Sequence, residues 1–290
     1  MAIEIKADAE LEEMIVIARA AAVRVAELYD QHRVTRFDVD LKAAGEPVTR
    51  ADREVNEMIC QALAERFAGV AIVAEESPLD DPREVEELVS QHQVFFVDPI
   101  DGTREFLDLG GEFAVMIGLA IDGRAHAGVL ALPAEGLLLA GRVGTRAFVE
   151  EAGGQRRLVG VSDCERFDQA TMVASRSHRP AIVEPLRRRL GVGSLQPCGS
   201  VGVKVARLLT GGADLYVHGG PGLKLWDSCA PDAVITAGGG RLSDLDGGGI
   251  DYGSRNLHLP RGLVATNGRL HPGVLSAVGW AEREAARVGG

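Results

Sequence analysis

Four carboxylate side chains follow two short apolar runs in the first half of the chain. Glu75 and Glu76 come directly after the run VAIVA, and Asp98 and Asp101 come after the run VFFV. Each run has the length and the bounding residues of a buried strand, so we expect the carboxylates to converge where the strand ends meet. Clustered carboxylates repel one another, and a hard divalent cation relieves that repulsion. Mg²⁺ is favoured where water and a substrate phosphate complete the shell.

The string DPIDGT, residues 98–103, is the most specific of these signals. An isolated Asp or Glu is most often a solvated surface charge, and the EE pair alone carries little weight. An exposed turn, however, does not need two carboxylates that bracket a proline and lead into Gly-Thr. Pro99 stiffens the turn, and Gly102 permits an unusual backbone angle or the close approach of a ligand. The string therefore favours a functional turn over a surface loop.

Two amphipathic helices and several strands would position this turn. Residues from Ala9 to Tyr29 place apolar side chains at helical spacing, and a second helix begins near Thr49, a suitable N-cap. Strand-like segments follow, namely FAVMIGLAI, AGVLALP and LLLAGRV, separated by the turn signals DGR and AEG. We therefore predict an antiparallel sheet in the first half.

The second half of the chain alternates helical and strand-like segments. Periodicity lapses in the acidic, glycine-containing stretch 150–155, and a strand-like TMVAS follows. Then come EPLRRRL, VKVARLLTGG, ADLYVH, WDSCAPDAVITAGGG and GLVATN, an alternation typical of layered α/β architecture. We predict an N-terminal α+β subdomain over residues 1–155, which contains the four carboxylates described above. The C-terminal α/β subdomain would span residues 156–290.

Composition argues against several classes of function. The 290 residues carry a formal net charge of −11, a poor basis for nonspecific attraction to nucleic acid or an anionic membrane. The four cysteines form no CxxC pair, so neither a zinc site nor a disulfide framework is indicated. The N-terminal region is broken by charges, unlike a signal peptide, and no uncharged apolar stretch approaches the ~20 residues of a membrane helix. We expect a cytoplasmic protein; peripheral attachment at the inner membrane face is also compatible.

Four sequence blocks occur together in one order: PVTRAD at 47–52, AEES at 74–77, DPIDGT at 98–103 and WDSCAPDAV at 226–234. This combination resembles the signature of the inositol monophosphatase superfamily. The resemblance implies an α/β (α+β layered) fold, an αβαβα sandwich of the inositol monophosphatase / fructose-1,6-bisphosphatase type. It places the site at the junction of the two halves, with most metal ligands in residues 1–155. Asp227 and the residues that select the substrate would lie in residues 156–290.

The resemblance also implies a set of metal ligands. Glu75, Asp98 and the backbone carbonyl of Ile100 would hold one ion, and Asp98, Asp101 and Asp227 would surround a second. The cofactor would be Mg²⁺, as two or three ions, with inhibition by lithium. Such ions can neutralise a phosphate monoester dianion, generate a nucleophile from water and stabilise the leaving alkoxide, so no covalent intermediate is required.

The remaining residues of the blocks receive catalytic and binding roles from the same resemblance. Asp52 and Thr103 would orient and deprotonate a metal-bound water. The amides of Gly102 and Thr103 would cradle the phosphate, and Glu76 would support the metal ligands.

The second half departs from inositol phosphatases and resembles the 3'(2'),5'-bisphosphate nucleotidases of the CysQ type. Inositol monophosphatases carry a glutamate shortly before the WD pair, whereas this chain has GGPGLKL there, with Lys224 and no acid. The segments SRSH, GSVGVK and GEFAV point the same way. The resemblance implies that Ser175 and His178 contact a retained 5'-phosphate. It also implies that the turn from Ser200 to Lys204 lies beside the nucleotide.

These second-half residues also have purely structural interpretations. SRSH could form a strand-end cap and turn, Lys204 and Lys224 could be solvated lysines, and His178 could be a satisfied surface histidine. Trp226 could stack on adenine, but beside a metal-binding aspartate we favour a packing role. A second anionic pocket needs fixed donors, which hydroxyl, imidazole and ammonium groups can supply.

The predicted activity is that of a phosphoric monoester hydrolase converting adenosine 3',5'-bisphosphate to AMP and phosphate. Action on 3'-phosphoadenylyl sulfate in sulfur assimilation is a further expectation. Two alternatives stay open: an inositol-1-monophosphatase or related sugar-phosphate phosphatase, and a regulatory binding partner of the transcription machinery. The expected partner is a small phosphorylated nucleotide, with no nucleic acid and no integral membrane segment, and a homodimer is compatible.

Overall fold

A computed structural model describes Ile5 and residues 7–41, 47–79, 81–177 and 179–288. The helices are α1 (Ala9–Val34), α2 (Arg50–Arg66), α3 (Pro82–Val89), α4 (Thr103–Leu107), α5 (Val183–Leu190), α6 (Val201–Leu209), α7 (Trp226–Ala237) and α8 (His271–Val288). The strands are β1 (Asp40–Leu41), β2 (Pro47–Val48), β3 (Ala71–Ala74), β4 (Gln93–Asp101), β5 (Ala114–Ile121), β6 (Arg124–Leu132), β7 (Leu137–Arg142), β8 (Phe148–Glu151), β9 (Arg156–Leu158), β10 (Thr171–Ser175), β11 (Ser194–Cys198), β12 (Leu215–His218), β13 (Arg241–Ser243) and β14 (Leu263–Thr266).

The first two long helices begin close to the predicted positions, and each has a capping residue. Asp8 caps α1 by accepting a hydrogen bond from the amide of Leu11 at 2.9 Å. Thr49 caps α2 through a capping box in which its hydroxyl accepts from the first turn and Asp52 accepts from the amide of Thr49. The helix α1 continues past the predicted end at Tyr29 to Val34, and His32 in its last turn is buried.

The first half is built on a seven-stranded sheet of order β3-β4-β5-β6-β7-β8-β9. The pair β3 and β4 is parallel, and the remaining neighbours are antiparallel, which confirms the predicted antiparallel sheet. The strand β4 runs through Asp98 to Asp101, with an irregular register between these two residues. The last strand, β9, belongs to this sheet, so the sheet extends a few residues past the predicted subdomain boundary at residue 155.

The second half is built on a five-stranded sheet of order β11-β10-β12-β14-β13. The strand β10 is parallel to β11 and β12, whereas β14 is antiparallel to β12 and β13. Parallel neighbours place the carboxyl ends of β10 and β12 at one edge. This edge faces the site described below.

Three clusters of buried apolar side chains define five layers. One lies between α1, α2 and one face of the seven-stranded sheet. The second fills the space between the two sheets, where α6 and α7 lie, and the third packs α5 and α8 on the outer face of the five-stranded sheet. This order of layers confirms the predicted αβαβα sandwich.

Two glycines let α7 lie directly on the first sheet. A Cβ atom on Gly118 of β5 would lie 2.5 Å from the amide nitrogen of Ala230, and one on Gly128 of β6 would lie 2.5 Å from its carbonyl oxygen. Only glycine permits this approach. The sheet that carries Asp98 therefore also fixes the helix that carries Asp227.

Among the described helices, none combines the length and the apolar character needed to cross a bilayer.

Candidate active site

A cleft of about 440 Å³ lies between the two halves, and both contribute to its walls. The predicted residues along these walls are Glu75, Asp98, Ile100, Asp101, Gly102, Thr103, Ser175, Ser200, Lys204, Lys224 and Asp227. Asp52 stands behind Thr103. Glu76 lies in the turn after β3, outside the cleft walls, and His178 lies outside the described residues.

The cleft concentrates negative charge. Burial raises the pKa of Asp98 well above its ordinary range, and the charges of Glu75, Asp101 and Asp227 raise it further. Burial likewise raises the pKa of Asp227, with Glu75 and Asp101 adding to the effect. Carboxylates that oppose each other's ionisation in this way are a suitable donor set for a hard divalent cation.

Such a cation would need more than these side chains. Within the described residues, no three His, Cys, Asp or Glu side chains are grouped as a ready-made metal site. Mg²⁺ usually binds one or two carboxylates and takes its other ligands from water and substrate phosphate. The carboxylates of the cleft fit that open type of site rather than a closed cage.

Hydrogen bonds to the backbone orient two of the carboxylates. Asp98 Oδ1 accepts from the amide of Ile100 at 3.0 Å, which holds the side chain over its own turn. Asp227 Oδ2, in the first turn of α7, accepts from the amide of Lys224 just before the helix at 2.6 Å. Local sequence therefore determines how these two acids face the cleft.

Asp101 is oriented by the other half of the molecule. Its Oδ2 accepts from the hydroxyl of Ser200 at 2.5 Å and from the amide of Gly202 at 2.7 Å, both at the N-terminus of α6. Burial raises the pKa of Asp101, although these two hydrogen bonds oppose the rise. Ser200, which we expected beside the substrate, thus directs its hydroxyl at a carboxylate.

Asp52 and Thr103 form a hydrogen-bonded pair at the base of the cleft. Thr103 Oγ1 donates to Asp52 Oδ1 at 2.9 Å and lies 3.2 Å from the carbonyl oxygen of Ile100. Asp52 Oδ2 accepts from the amide and the hydroxyl of Thr49, at 2.8 and 2.7 Å. Burial raises the pKa of Asp52 despite the hydrogen bonds that oppose it. A carboxylate with a raised pKa is suited to accept a proton near neutral pH.

Gly102 makes the turn between β4 and α4 possible. Its φ is +93°, in the region that favours glycine, and a Cβ atom there would lie 2.9 Å from the carbonyl oxygen of Glu112. The turn leaves Gly102 and Thr103 on the cleft wall.

Two lysines supply positive charge from the second half. Lys204 is 3 % exposed, its Nζ donates to the carbonyl oxygen of Ser200 at 3.0 Å, and it lies 5.1 Å from the ring centre of Tyr216. A solvated surface lysine is therefore the wrong interpretation of Lys204. Lys224 Nζ lies 5.1 Å from the ring centre of Trp226, whose indole is buried in the central cluster as predicted.

Sequence reasoning missed several cleft residues, including Arg104, Glu105, Ser177 and His218. His218 ends β12, which runs parallel to β10, and strand ends that share an edge could have identified it. Burial lowers the pKa of His218 to about 4, so its imidazole is neutral at neutral pH. Arg104 directly follows the DPIDGT string, a position that also pointed to the cleft.

Comparison with known proteins finds a matching family profile, similar sequences and similar solved structures. The profile of the inositol monophosphatase family matches residues 10–281. A 3'(2'),5'-bisphosphate nucleotidase CysQ from Shigella flexneri is 32% identical over 255 residues, covering 87% of this chain and 98% of that protein. A 3'(2'),5'-bisphosphate nucleotidase 1 from Mus musculus is 29% identical over 245 residues, covering 73% of this chain and 75% of that protein. The solved structure of the extragenic suppressor protein suhB from Bartonella henselae superposes with a TM-score of 0.77 at 24% identity, covering 93% of this chain and 98% of that one.

Proposed function

The chain belongs to the inositol monophosphatase family, and on that basis we propose that it is a Mg²⁺-dependent phosphatase that removes the 3'-phosphate of adenosine 3',5'-bisphosphate to give AMP and phosphate. One observation carries the choice of substrate: a single cleft is lined by both carboxylates and lysines. A metal-bound phosphate suits the carboxylates, and a second phosphate of the same molecule suits the lysines. The names of the two nucleotidase relatives agree with this choice.

The residues that would hold the ions are Glu75, Asp98, Asp101, Asp227 and the carbonyl of Ile100. When bound, Mg²⁺ supplies charge neutralisation for the phosphate and lowers the pKa of a water molecule. The chain orients these ligands before any ion arrives, because the backbone and α6 already hold three of the carboxylates by hydrogen bonds. Because these carboxylates are already oriented, they need not reorganise during the reaction.

The pair Asp52 and Thr103 would take the proton of the attacking water. Thr103 directs its hydroxyl hydrogen to Asp52, so its oxygen lone pairs can accept a proton from water while its own hydrogen passes to Asp52 Oδ1. Thr49 occupies the other carboxylate oxygen and so fixes which one receives the proton. The phosphate would meanwhile rest against the amides of Gly102 and Thr103.

The lysines would bind the phosphate that is not cleaved. Lys204, Lys224 and Ser175 line the cleft, and Arg104 adds another cation to the lining. A sulfated nucleotide, 3'-phosphoadenylyl sulfate, presents the same 3'-phosphate and an anionic 5'-substituent. It is therefore a second expected substrate.

A turnover assay with matched substrates tests this proposal. In Mg²⁺, we expect kcat/KM for adenosine 3',5'-bisphosphate to exceed that for inositol 1-phosphate or for adenosine 3'-monophosphate by about 100-fold. This estimate assumes that a charge-assisted hydrogen bond contributes about 1.5–3 kcal/mol. Faster hydrolysis of inositol 1-phosphate would refute the substrate assignment, and no hydrolysis of any monoester would refute the phosphatase.

A further inference from the structure

Glu112 joins three segments of the chain beside the cleft. It lies in the loop before β5, in the first half, and its Oε2 accepts from the amide of Gly199 at 2.7 Å. Arg176, just after β10, donates to the same carboxylate through Nε at 3.1 Å and through Nη2 at 2.8 and 2.9 Å. Gly199 and Arg176 both belong to the second half, so one side chain connects the halves.

The segment that Glu112 holds is strained and leads directly to a cleft carboxylate. Gly199 precedes Ser200, whose φ of +46° is rare for a residue other than glycine. On the far side of this residue, Lys204 donates to the carbonyl oxygen of Ser200 at 3.0 Å. The turn is thus held at both ends, and from it the Ser200 hydroxyl reaches Asp101.

We propose that Glu112, with Arg176, is a positioning residue for Asp101. By holding the turn at Gly199 and Ser200, it keeps the Ser200 hydroxyl and the Gly202 amide aimed at Asp101 Oδ2, so that the carboxylate is presented to an ion in a fixed orientation. The inference rests on the proposed function only in assigning Asp101 to a metal ion. It makes no use of the nucleotide.

A purely stabilising role accounts poorly for this arrangement. The side chains of Arg176 and Glu112 are 50% and 21% exposed, and ion pairs at such exposure contribute little to stability. Residues that orient metal ligands, by contrast, typically change metal affinity by about 10–100-fold when they are removed. The two roles therefore predict different results in a metal-binding measurement.

Another ion pair between the halves provides a matched control. Glu135, in the turn between β6 and β7, accepts from Arg207 of α6 at 2.9 and 2.6 Å, with side-chain exposures of 25% and 36%. It ties the same helix to the same half, but it does so through the last turns of α6, away from Asp101. Loss of the Glu135–Arg207 ion pair should leave the Asp101 carboxylate in place.

The experiment measures Mn²⁺ binding to the full chain by titration calorimetry without nucleotide, because Mn²⁺ shares the preference of Mg²⁺ for oxygen ligands. We expect Glu112→Ala to weaken binding about 10–100-fold and Glu135→Ala to leave it unchanged. Glu112→Gln should weaken it less, because an amide oxygen still accepts from Gly199. Thermal unfolding identifies variants that fail to fold. If Glu112→Ala fails to fold, the comparison is between Glu112→Gln, which should still weaken Mn²⁺ binding, and Glu135→Ala, which should not.

A double-mutant cycle tests the route through Ser200. If Glu112 acts on Asp101 partly through the Ser200 hydroxyl, Glu112→Ala should cost less affinity in the Ser200→Ala background than in the wild type. Affinity that Glu112→Ala leaves unchanged, or lowers no more than Glu135→Ala does, overturns the inference while the proposed function stands. A wild-type chain that binds no Mn²⁺ overturns both.

Discussion

At the scale of single residues, the site depends on which side-chain atoms already form hydrogen bonds within the protein. Asp52 illustrates this, because Thr49 takes one carboxylate oxygen and Thr103 donates to the other. In the proposed role as base, Asp52 would therefore have one defined direction for proton transfer. An isosteric substitution is therefore more informative than a truncation, because it removes one hydrogen bond and keeps the shape of the side chain.

Thr103→Val removes the hydroxyl that donates to Asp52 and keeps the shape of the side chain. We expect kcat to fall about 10²–10⁴-fold, the usual contribution of a general base, with a smaller change in KM. Thr103→Ser, which retains the hydroxyl, should keep most of the activity. Steady-state kinetics of both variants measure this, and equal losses would show that the hydroxyl itself is not used.

Lys204→Met tests whether Lys204 binds the phosphate that is not cleaved. Methionine fills the buried site beside Tyr216 without the charge, so the variant should fold. We expect KM to rise for adenosine 3',5'-bisphosphate and to change much less for a substrate with a single phosphate. A charged hydrogen bond of about 1.5–3 kcal/mol corresponds to a rise of roughly 10–100-fold. An equal effect on both substrates would remove Lys204 from substrate selection.

At the scale of elements, the sequence was informative wherever a signal was local. The extent of α1 near its start, the cap of α2 and the alternating strands of the first sheet could be predicted because neighbouring residues carry the information. The three-residue strands β9 and β13 could not, because runs this short show no clear alternation and are defined only by pairing with β8 and β14. The contact of Ser200 with Asp101 was not predictable because it spans 99 positions of the chain. Residue types in the DPIDGT string predicted the carboxylates of the cleft, but the packing of α6 determines how Asp101 is oriented.

His271 at the start of α8 provides a pH-dependent test of an element far from the cleft. It is fully buried between two hydroxyls, 2.9 Å from Ser243 Oγ and 3.0 Å from Thr266 Oγ1. Ser243 donates its hydrogen to the carbonyl of Asp244, so the ring must donate to Ser243 through Nε2 and accept from Thr266 through Nδ1. This arrangement requires a neutral imidazole, and burial lowers the pKa of His271 to about 4.

The lowered pKa fixes the sign of its effect on stability. Between the unfolded pKa near 6.5 and the folded pKa of about 4, the unfolded chain binds more protons, so the free energy of unfolding falls as pH falls through this window. The loss reaches up to about 3 kcal/mol below pH 4. Urea unfolding of wild type and His271→Gln at several pH values measures it. The difference between the two proteins should shrink toward low pH, and a constant difference would contradict the assignment.

At the scale of the whole molecule, α7 is the element that makes the two halves into one enzyme. It lies between the sheets and carries Asp227 to the acids of β4, and Gly118 and Gly128 allow its close approach. Its position therefore controls both stability and the geometry of the cleft.

Gly118→Ala should disturb both properties together. The added methyl would lie 2.5 Å from the amide nitrogen of Ala230 and 2.7 Å from Cys229 Sγ, so α7 must shift. Overpacking of this kind costs about 1–3 kcal/mol, and we expect lower thermal stability together with reduced turnover. Gly279→Ala in α8 is the matched control, because it has space for the methyl and should be neutral or stabilising by up to about 1 kcal/mol. An unchanged melting temperature for Gly118→Ala would show that the interface is looser than described.

The place of α7 between the sheets also limits how the gene can be divided. A fragment ending near residue 158 would expose the apolar face on which this helix rests, and the remaining fragment would leave the opposing face of the helix uncovered. Neither piece would hold a complete set of acids. Turnover by two separately expressed fragments would therefore report their reassembly, which makes this chain a natural candidate for a split-protein sensor.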